Sequence, residues 1–194
     1  FSGRVASQKE SEVTRYFEIL REQNCQSYLE IGARHGDMFY DVVTRLPVGS
    51  LAVAVDLPGG SWGVGSSGDC LRKCVQELKR LGYNVHMILG DSTKESVINQ
   101  VKAISNSYDA ILIDGDHRYE GVKKDWINYK DLANKFVSFH DIDGHGVRQK
   151  SNPELIVEVP KLWNEIKIGY KYEELIDTVE PQRPMGIGVL YYHQ

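Results

Sequence analysis

Cysteine is scarce. The 194 residues hold three, Cys25, Cys70 and Cys74, an odd number without a framework spacing. That excludes a disulfide-stapled secreted scaffold and suits a reducing, cytoplasmic setting. Cys70 and Cys74 lie four apart on an expected helix and share a face, but no second Cys/His pair stands at zinc spacing, so both read as core packing. Long apolar runs are missing too. None approaches the length of a membrane span, and Phe1–Glu10 has no apolar stretch of the signal-peptide kind. The chain opens on Phe1 rather than Met, as a trimmed or partial chain does. A basic excess is also lacking: the net charge of −4 argues against a non-specific nucleic-acid or membrane-surface binder, since both want a basic face. Internal repeats and low-complexity segments are absent. The glycine-rich stretch Pro58–Gly68 lacks the Gly-Lys-Ser/Thr ending of a phosphate loop. It reads instead as a flexible loop near a ligand, with Trp62 able to stack on something.

What is present is an ordinary globular composition, 41% hydrophobic and 26% charged, in a chain of the right length for one domain with one core, 1–194. Residues 8–24 place Val13, Tyr16, Phe17 and Leu20 on one helical stripe, so the N-terminal segment 1–26 reads as a helix covering a sheet. Strand-like runs then alternate with helical ones. Strands are expected at 27–31, 51–55, 85–89, 110–113 and 136–139, and helices at 37–46, 69–81, 92–104 and 119–132. A helix at 159–168 precedes two more strands, 172–179 and 186–192, joined by the turn 181–184. Residues 142–160 have weak periodicity and read as a long loop of the kind that forms lids. Strict alternation demands a mostly parallel α/β sheet with helices on both faces.

The strand ends carry the chemistry. Glu30/Gly32, Asp56, Asp91-Ser92, Asp114 and His140-Asp141 fall in phase along one edge, where an open α/β sheet binds its ligands. The fourth end is the densest: Ala110–Ile113 stops on Asp114-Gly115-Asp116-His117, residues that no core accepts. In the first turn, Glu30-x-Gly32-x-x-x-Gly36, glycines let a ligand approach the backbone, and the next helix offers free N–H groups. Asp56, about twenty residues on, suits the two hydroxyls of a ribose. The G-A-R-H-G loop departs from the G-x-G-x-x-G of a pyrophosphate cradle, which disfavours a nicotinamide dehydrogenase. A cofactor with ribose and adenine but no pyrophosphate fits better.

These residues resemble the class I S-adenosylmethionine-dependent methyltransferases. The nearest group is the small O-methyltransferase-like one whose fourth strand reads I-D-G-D-H-x-Y-E-G-V, here Ile113–Val122, and whose fifth ends in H-D-I, here His140–Ile142. The resemblance implies a Rossmann-like doubly wound sheet of seven strands, order 3-2-1-4-5-7-6 with strand 7 antiparallel. It places Glu30, Gly32 and Gly36 along the methionine and ribose of S-adenosylmethionine, Asp56 on the ribose hydroxyls, Asp91 and Ser92 at the adenine, and Asp114 below the methyl group. In related metal-dependent enzymes the acids after strands four and five bind a divalent cation. Asp114 and Asp141 match them, with His140 as a third ligand and Mg²⁺ the natural ion. His140 stands where those relatives carry an acid or amide.

The expected reaction is methyl transfer to an oxygen of a small-molecule acceptor. Asp114 and His117 are the catalytic candidates: His117 takes the hydroxyl proton, or a cation at Asp114 and Asp141 lowers its pKa. Asp116 reads as a helix cap. His35 is a weaker base candidate, and His86 and His193 read as structural. Trp62, Arg148 and Lys150 are candidates for the acceptor side. Two other readings stand beside this one. A metal-dependent phosphoesterase would use Asp114, Asp116, His117, His140, Asp141 and His145, and would leave Glu30, Asp56 and Asp91 idle. A non-catalytic binding module would retain the fold alone.

Overall fold

The computed structural model describes residues 9–60, 67–144, 146–149, 152–178 and 185–192. Nine strands and six α-helices follow in order: α1 (Glu10–Glu22), β1 (Ser27–Ile31), α2 (Asp37–Val43), β2 (Leu51–Asp56), α3 (Ser67–Arg80), β3 (Asn84–Leu89), α4 (Glu95–Ile104), β4 (Tyr108–Ile113), α5 (Tyr119–Tyr129), β5 (Ala133–His140), β6 (Gly146–Gln149), β7 (Asn152–Val157), α6 (Val159–Ile166), β8 (Lys171–Leu175) and β9 (Ile187–Tyr191). Seven strands form one sheet in the order β3-β2-β1-β4-β5-β9-β8. The first five are parallel, and β9 runs antiparallel to both β5 and β8. Setting β6 and β7 aside, this is the order that the family resemblance implies.

Two cores lie on the two faces of the sheet. Tyr16 and Ile19 of α1, Phe39 and Val42 of α2 and Leu71 and Leu78 of α3 pack on Ala52, Ala54, Ala110 and Leu112. Val97 and Val101 of α4, Val122 and Trp126 of α5 and Leu162 and Trp163 of α6 pack on Ile31, Val53, Val55, Ile111 and Ile113. The central strands are buried on both faces, which is why they read as continuous apolar runs rather than alternating ones. Cys25 and Cys74 are buried and all three cysteines are free. No described helix is long and apolar enough to cross a membrane.

Residues 142–160 are not a structureless loop. They contain a two-stranded antiparallel hairpin, β6 with β7, followed by the first turn of α6. The smaller differences are at ends. A 3-10 turn, Lys130–Leu132, completes α5. Helix α4 begins at Glu95 without a side-chain cap, because Asp91 caps the turn ahead of it. The turn 181–184, Trp62, His145, Lys150 and His193 lie outside the described residues.

Helix α1 is tied to the sheet by polar groups as well as by its apolar stripe. Tyr16 shares a hydrogen bond with Ser138 of β5 at 2.9 Å, and Ser138 donates to the Ile111 carbonyl at 3.0 Å. Glu12, 2% exposed, accepts the backbone N–H of Asp177 at 2.9 Å and of Gly186 at 3.3 Å. One carboxylate therefore holds both shores of the β8–β9 connection. Just inside the start of β9, Gly188 makes room for Trp163: a Cβ there would lie 2.6 Å from the indole ring. Gly188→Ala should therefore lower stability by about 1–3 kcal/mol, as overpacking does. Urea unfolding checks this, and an unchanged midpoint would show that the indole can yield.

Candidate functional site

The carboxyl ends of the parallel strands open onto one cleft of about 1340 Å³. Glu30, Gly32, Asp56, Asp91, Ser92, Asp114, His117, His140 and Asp141 all line it. Of the residues the sequence nominates, Gly36 does not. It stands at the start of α2 with φ +87°, and a Cβ there would meet Cys74 and Leu71 of α3 at 3.0 Å. Its glycine serves helix packing.

Gly32 does a related job at the cleft itself. With φ +91°, a Cβ would lie 2.1 Å from the Asp114 carbonyl oxygen. The neighbouring strands β1 and β4 converge there, and Asp114 N–H donates to the Ile31 carbonyl at 2.8 Å. The turn continues with Arg34, whose N–H donates to Asp56 Oδ1 at 2.8 Å. Asp56, 7% exposed, is thereby oriented at the end of β2.

The loop after β3 is tied to itself and to α5. Asp91 Oδ1 accepts the N–H and hydroxyl of Thr93 at 2.9 and 2.6 Å, and these bonds hold the Asp91 pKa low. Ser92 donates its hydroxyl to Asp125 at 2.7 Å, and its carbonyl accepts Tyr129 O–H at 2.8 Å. A ligand at this loop meets a fixed backbone rather than free carboxylates. Asp125 is a participant the sequence reading passes over. It is fully buried, and burial pushes its pKa up to about 7. Its signal was available: Val122, Asp125, Trp126 and Tyr129 form the core-facing stripe of α5, and an acid has no place on such a stripe without a partner.

The floor of the cleft is a ring of two carboxylates and two imidazoles. Asp114 Oδ1 lies 3.3 Å from His117 Nε2 and 3.2 Å from His140 Nδ1, and Asp141 Oδ2 lies 3.0 Å from His117 Nδ1 and 3.7 Å from His140 Nδ1. Successive residues of an extended strand point to opposite faces. Asp141 escapes that rule with φ +59°, a left-handed turn that aspartate tolerates better than most residues. His140 and Asp141 thus share one site. Burial alone would lower both imidazole pKa values, but the carboxylates outweigh it and raise His117 to about 10 and His140 to about 9. Conversely, burial would raise Asp114 and Asp141, and the imidazoles hold both below the ordinary carboxylate range. The ring at neutral pH is two charged pairs.

Asp116 stands outside the ring. Its carboxylate takes the Arg118 backbone N–H at 3.0 Å and is clasped by the Arg118 guanidinium, 2.6 Å at the shortest. It sits where a Cβ on Gly121 would be, 2.3 Å away, which accounts for the glycine of the E-G-V motif. It caps the turn before α5. The helix's first N–H, of Tyr119, is taken by Glu158 at 2.9 Å, and Glu158 N–H donates to the His117 carbonyl at 2.8 Å. The end of the hairpin is thereby pinned to the His117 loop. Glu158 and Met185 both line the cleft. Neither has a motif that sequence could reveal. His35 also lines the cleft, and His86 bonds Asn84 on β3. Arg148 lies within β6.

Asp114, His140 and Asp141 offer metal-ligating atoms within 4.8 Å of one another, the one such group of three among the described residues. A two-metal hydrolase would need a second.

A family model described as a methyltransferase domain matches residues 29–142. An uncharacterised protein, R132, of Acanthamoeba polyphaga mimivirus is 25% identical over 158 residues, 78% of this chain and 67% of that protein. Among solved structures, a Staphylococcus aureus protein assigned as a caffeoyl-CoA O-methyltransferase superposes with TM-score 0.70 at 18% identity, over 97% of this chain and 86% of that one. A Bacillus cereus O-methyltransferase in complex with S-adenosylhomocysteine does so with TM-score 0.67 at 13% identity, over 97% and 84%. The Streptomyces achromogenes O-methyltransferase TomG, in complex with S-adenosylmethionine, does so with TM-score 0.67 at 12% identity, over 96% and 82%.

Two outcomes follow from this geometry. Gly32→Ala should unfold the cleft or cost about 3 kcal/mol or more, since the added methyl meets backbone and the residue needs positive φ; thermal unfolding reads it. The second concerns pH. His117 and His140 have raised folded pKa values, so their contribution is whole below about pH 6.5 and is lost as pH rises through about 9–10. Asp114 and Asp141 are depressed, so theirs is present above about pH 3.9 and lost on acidification. Stability should fall toward pH 10, and His117→Gln should flatten that alkaline limb in a series of urea midpoints.

Proposed function

The chain belongs to the methyltransferase domain family, and we propose that it transfers the methyl group of S-adenosylmethionine to an oxygen of a small-molecule acceptor. The observation that carries this reading is the convergence of Glu30, Asp56, the Asp91–Ser92 loop and the four-residue ring on one cleft at the switch point of the sheet. The donor set suits the cofactor. Asp56, oriented by Arg34 N–H, would accept ribose hydroxyls. The rigid Asp91–Thr93 turn offers backbone to an adenine edge, and the acids around Glu30 suit a cationic ligand. When bound, S-adenosylmethionine supplies a methyl group on a sulfonium leaving group, so the protein's task is alignment and deprotonation of the acceptor.

His117 is the candidate proton acceptor, under a condition set by the ring. While Asp114 and Asp141 both hold it, it stays protonated to about pH 10 and is a donor and a cation. Loosening either carboxylate returns it toward neutrality and makes it a base. A divalent cation would be held by Asp114, His140 and Asp141. With an imidazole among the donors, Mn²⁺ suits the set better than Mg²⁺, which prefers oxygen alone. The hairpin β6–β7, tied to the His117 loop through Glu158, supports an acceptor wall at that side. The free cysteines and the acidic net charge fit a cytoplasmic enzyme whose partner is a small molecule rather than nucleic acid or membrane.

Calorimetry tests the core of the proposal. The wild-type chain should bind S-adenosylmethionine or S-adenosylhomocysteine at sub-millimolar concentration, and Asp56→Ala should weaken either about tenfold or more. No heat from the wild type would sink the reading. For the cation, Mn²⁺ followed by water-proton relaxation should bind the wild type, and Asp141→Asn should weaken it about tenfold or more.

A further inference from the structure

Glu30, one residue before the end of β1, lies at the floor of the cleft and is 2% exposed. Its carboxyl accepts the hydroxyl of Tyr28 at 2.6 Å. The groups that face it come from every neighbouring element: Asp114 from the end of β4, Asp56 from the end of β2 and His140 from the end of β5, with Tyr16 of α1 and Cys74 of α3 on the side of the core. Two of these are carboxylates. The one imidazole is committed to Asp114 at 3.2 Å, and among the described residues Glu30 forms no ion pair. The other buried glutamate, Glu12, has two backbone N–H groups and the buried Lys9 ammonium at 3.9 Å; Glu30 has a single hydroxyl. A carboxylate so placed lacks a counter-ion, and burying an uncompensated charge is costly enough that such a group keeps its proton. It nevertheless lines the cleft, where a ligand could supply the missing positive charge.

We propose that Glu30 reads the charge of the cofactor: it holds a proton in the open cleft and gives it up when the positive end of S-adenosylmethionine settles over it. This rests on the cofactor reading above and adds a proton to it. The carboxyl O–H bond breaks, the proton passes to solvent, and the carboxylate left behind pairs with the ligand cation; no electrons are transferred. Burial, reinforced by Asp114 and Asp56 and opposed by Tyr28 and His140, pushes the Glu30 carboxyl up to about 8 in the free protein. Binding a cation must lower that value. Affinity should therefore rise with pH, by up to about tenfold per unit, below pH 8 and level off above it. A neutral ligand would gain nothing from the change, so the residue favours cationic ligands as pH rises.

The test is calorimetry on the full chain at pH 7, with S-adenosylmethionine and S-adenosylhomocysteine as probes, in phosphate and in Tris, whose ionisation enthalpies differ. Close to one proton should be released per S-adenosylmethionine bound, and binding should tighten about tenfold from pH 6 to pH 7. Other groups in or near the cleft also titrate, so Glu30→Gln assigns the proton: the amide mimics the protonated acid, and the variant should bind with little proton exchange and a flat pH profile. Release with both probes places the ammonium over Glu30; release with S-adenosylmethionine alone places the sulfonium there. Binding without proton exchange, or equal release from Glu30→Gln, overturns the proposal and leaves the cofactor reading standing. Failure of the wild type to bind either probe overturns both. If Glu30→Gln does not fold, Tyr28→Phe takes its place. Losing that hydroxyl disfavours the charged form, so proton release must move to higher pH, and an unmoved profile overturns the proposal.

Discussion

The site depends on how closely two strand ends can meet. At Gly32 the chain leaves β1 so near to Asp114 that no side-chain carbon fits between them. That contact lies at the switch point of the sheet, between the ends of β1 and β4. The convergence brings Asp114 into reach of His140 from β5 and of His117 from its own loop. A larger residue at position 32 would push the two ends apart and dissolve the ring before any catalytic group was altered. One glycine is therefore a precondition for the electrostatics of the site.

Those electrostatics divide four of the acids in and behind the cleft into two kinds. Asp114 and Asp141 have imidazole partners and are held as anions, while Glu30 and Asp125 have hydroxyl partners and lean toward the neutral form. The difference is the partner, since burial opposes ionisation in all four. In the first kind the charge is already balanced, so an incoming cation must compete with His117 and His140. In the second kind there is charge still to be created. The molecule thus sets acids whose charge is already balanced close to acids whose charge is not.

How much of this could be read in advance varies with the physical cause. The central strands were legible because burial on both faces leaves no choice but continuous apolar sequence, and Leu51–Val55 or Ala110–Ile113 cannot be much else. The five polar strand ends were legible because topology, not side-chain contact, puts them on one edge. The hairpin within 142–160 was not legible: four- and six-residue strands that pair only with each other have no sheet to impose a pattern. Gly36 looked like a ligand-side glycine, because sequence shows that a turn needs glycine without showing whether a ligand or a helix comes close. Asp91 and Ser92 line the cleft, but their bonds to Thr93 and Asp125 were hidden, since both are settled by rotamers. His117 was visible as an imidazole; that it sits between two carboxylates, and is therefore a cation, follows only from the left-handed turn at Asp141.

Strand β9 has a consequence for how the molecule is made. Ile187–Tyr191 does not extend the sheet at its rim but inserts between β5 and β8, and Glu12, near the start of the chain, bonds Gly186 across 174 residues. During synthesis, then, β5 keeps an open edge, Trp163 has no Gly188 to lie on, and α1 lacks the Glu12–Gly186 bond until residues 186–191 have left the ribosome. Contacts of such separation form late and slowly, and unpaired strand edges invite association with other chains. The same arrangement that encloses the finished sheet leaves the nascent one with an adhesive side. Nascent chains are thus most exposed to aggregation in the interval before residues 187–191 emerge, whatever the stability of the final fold.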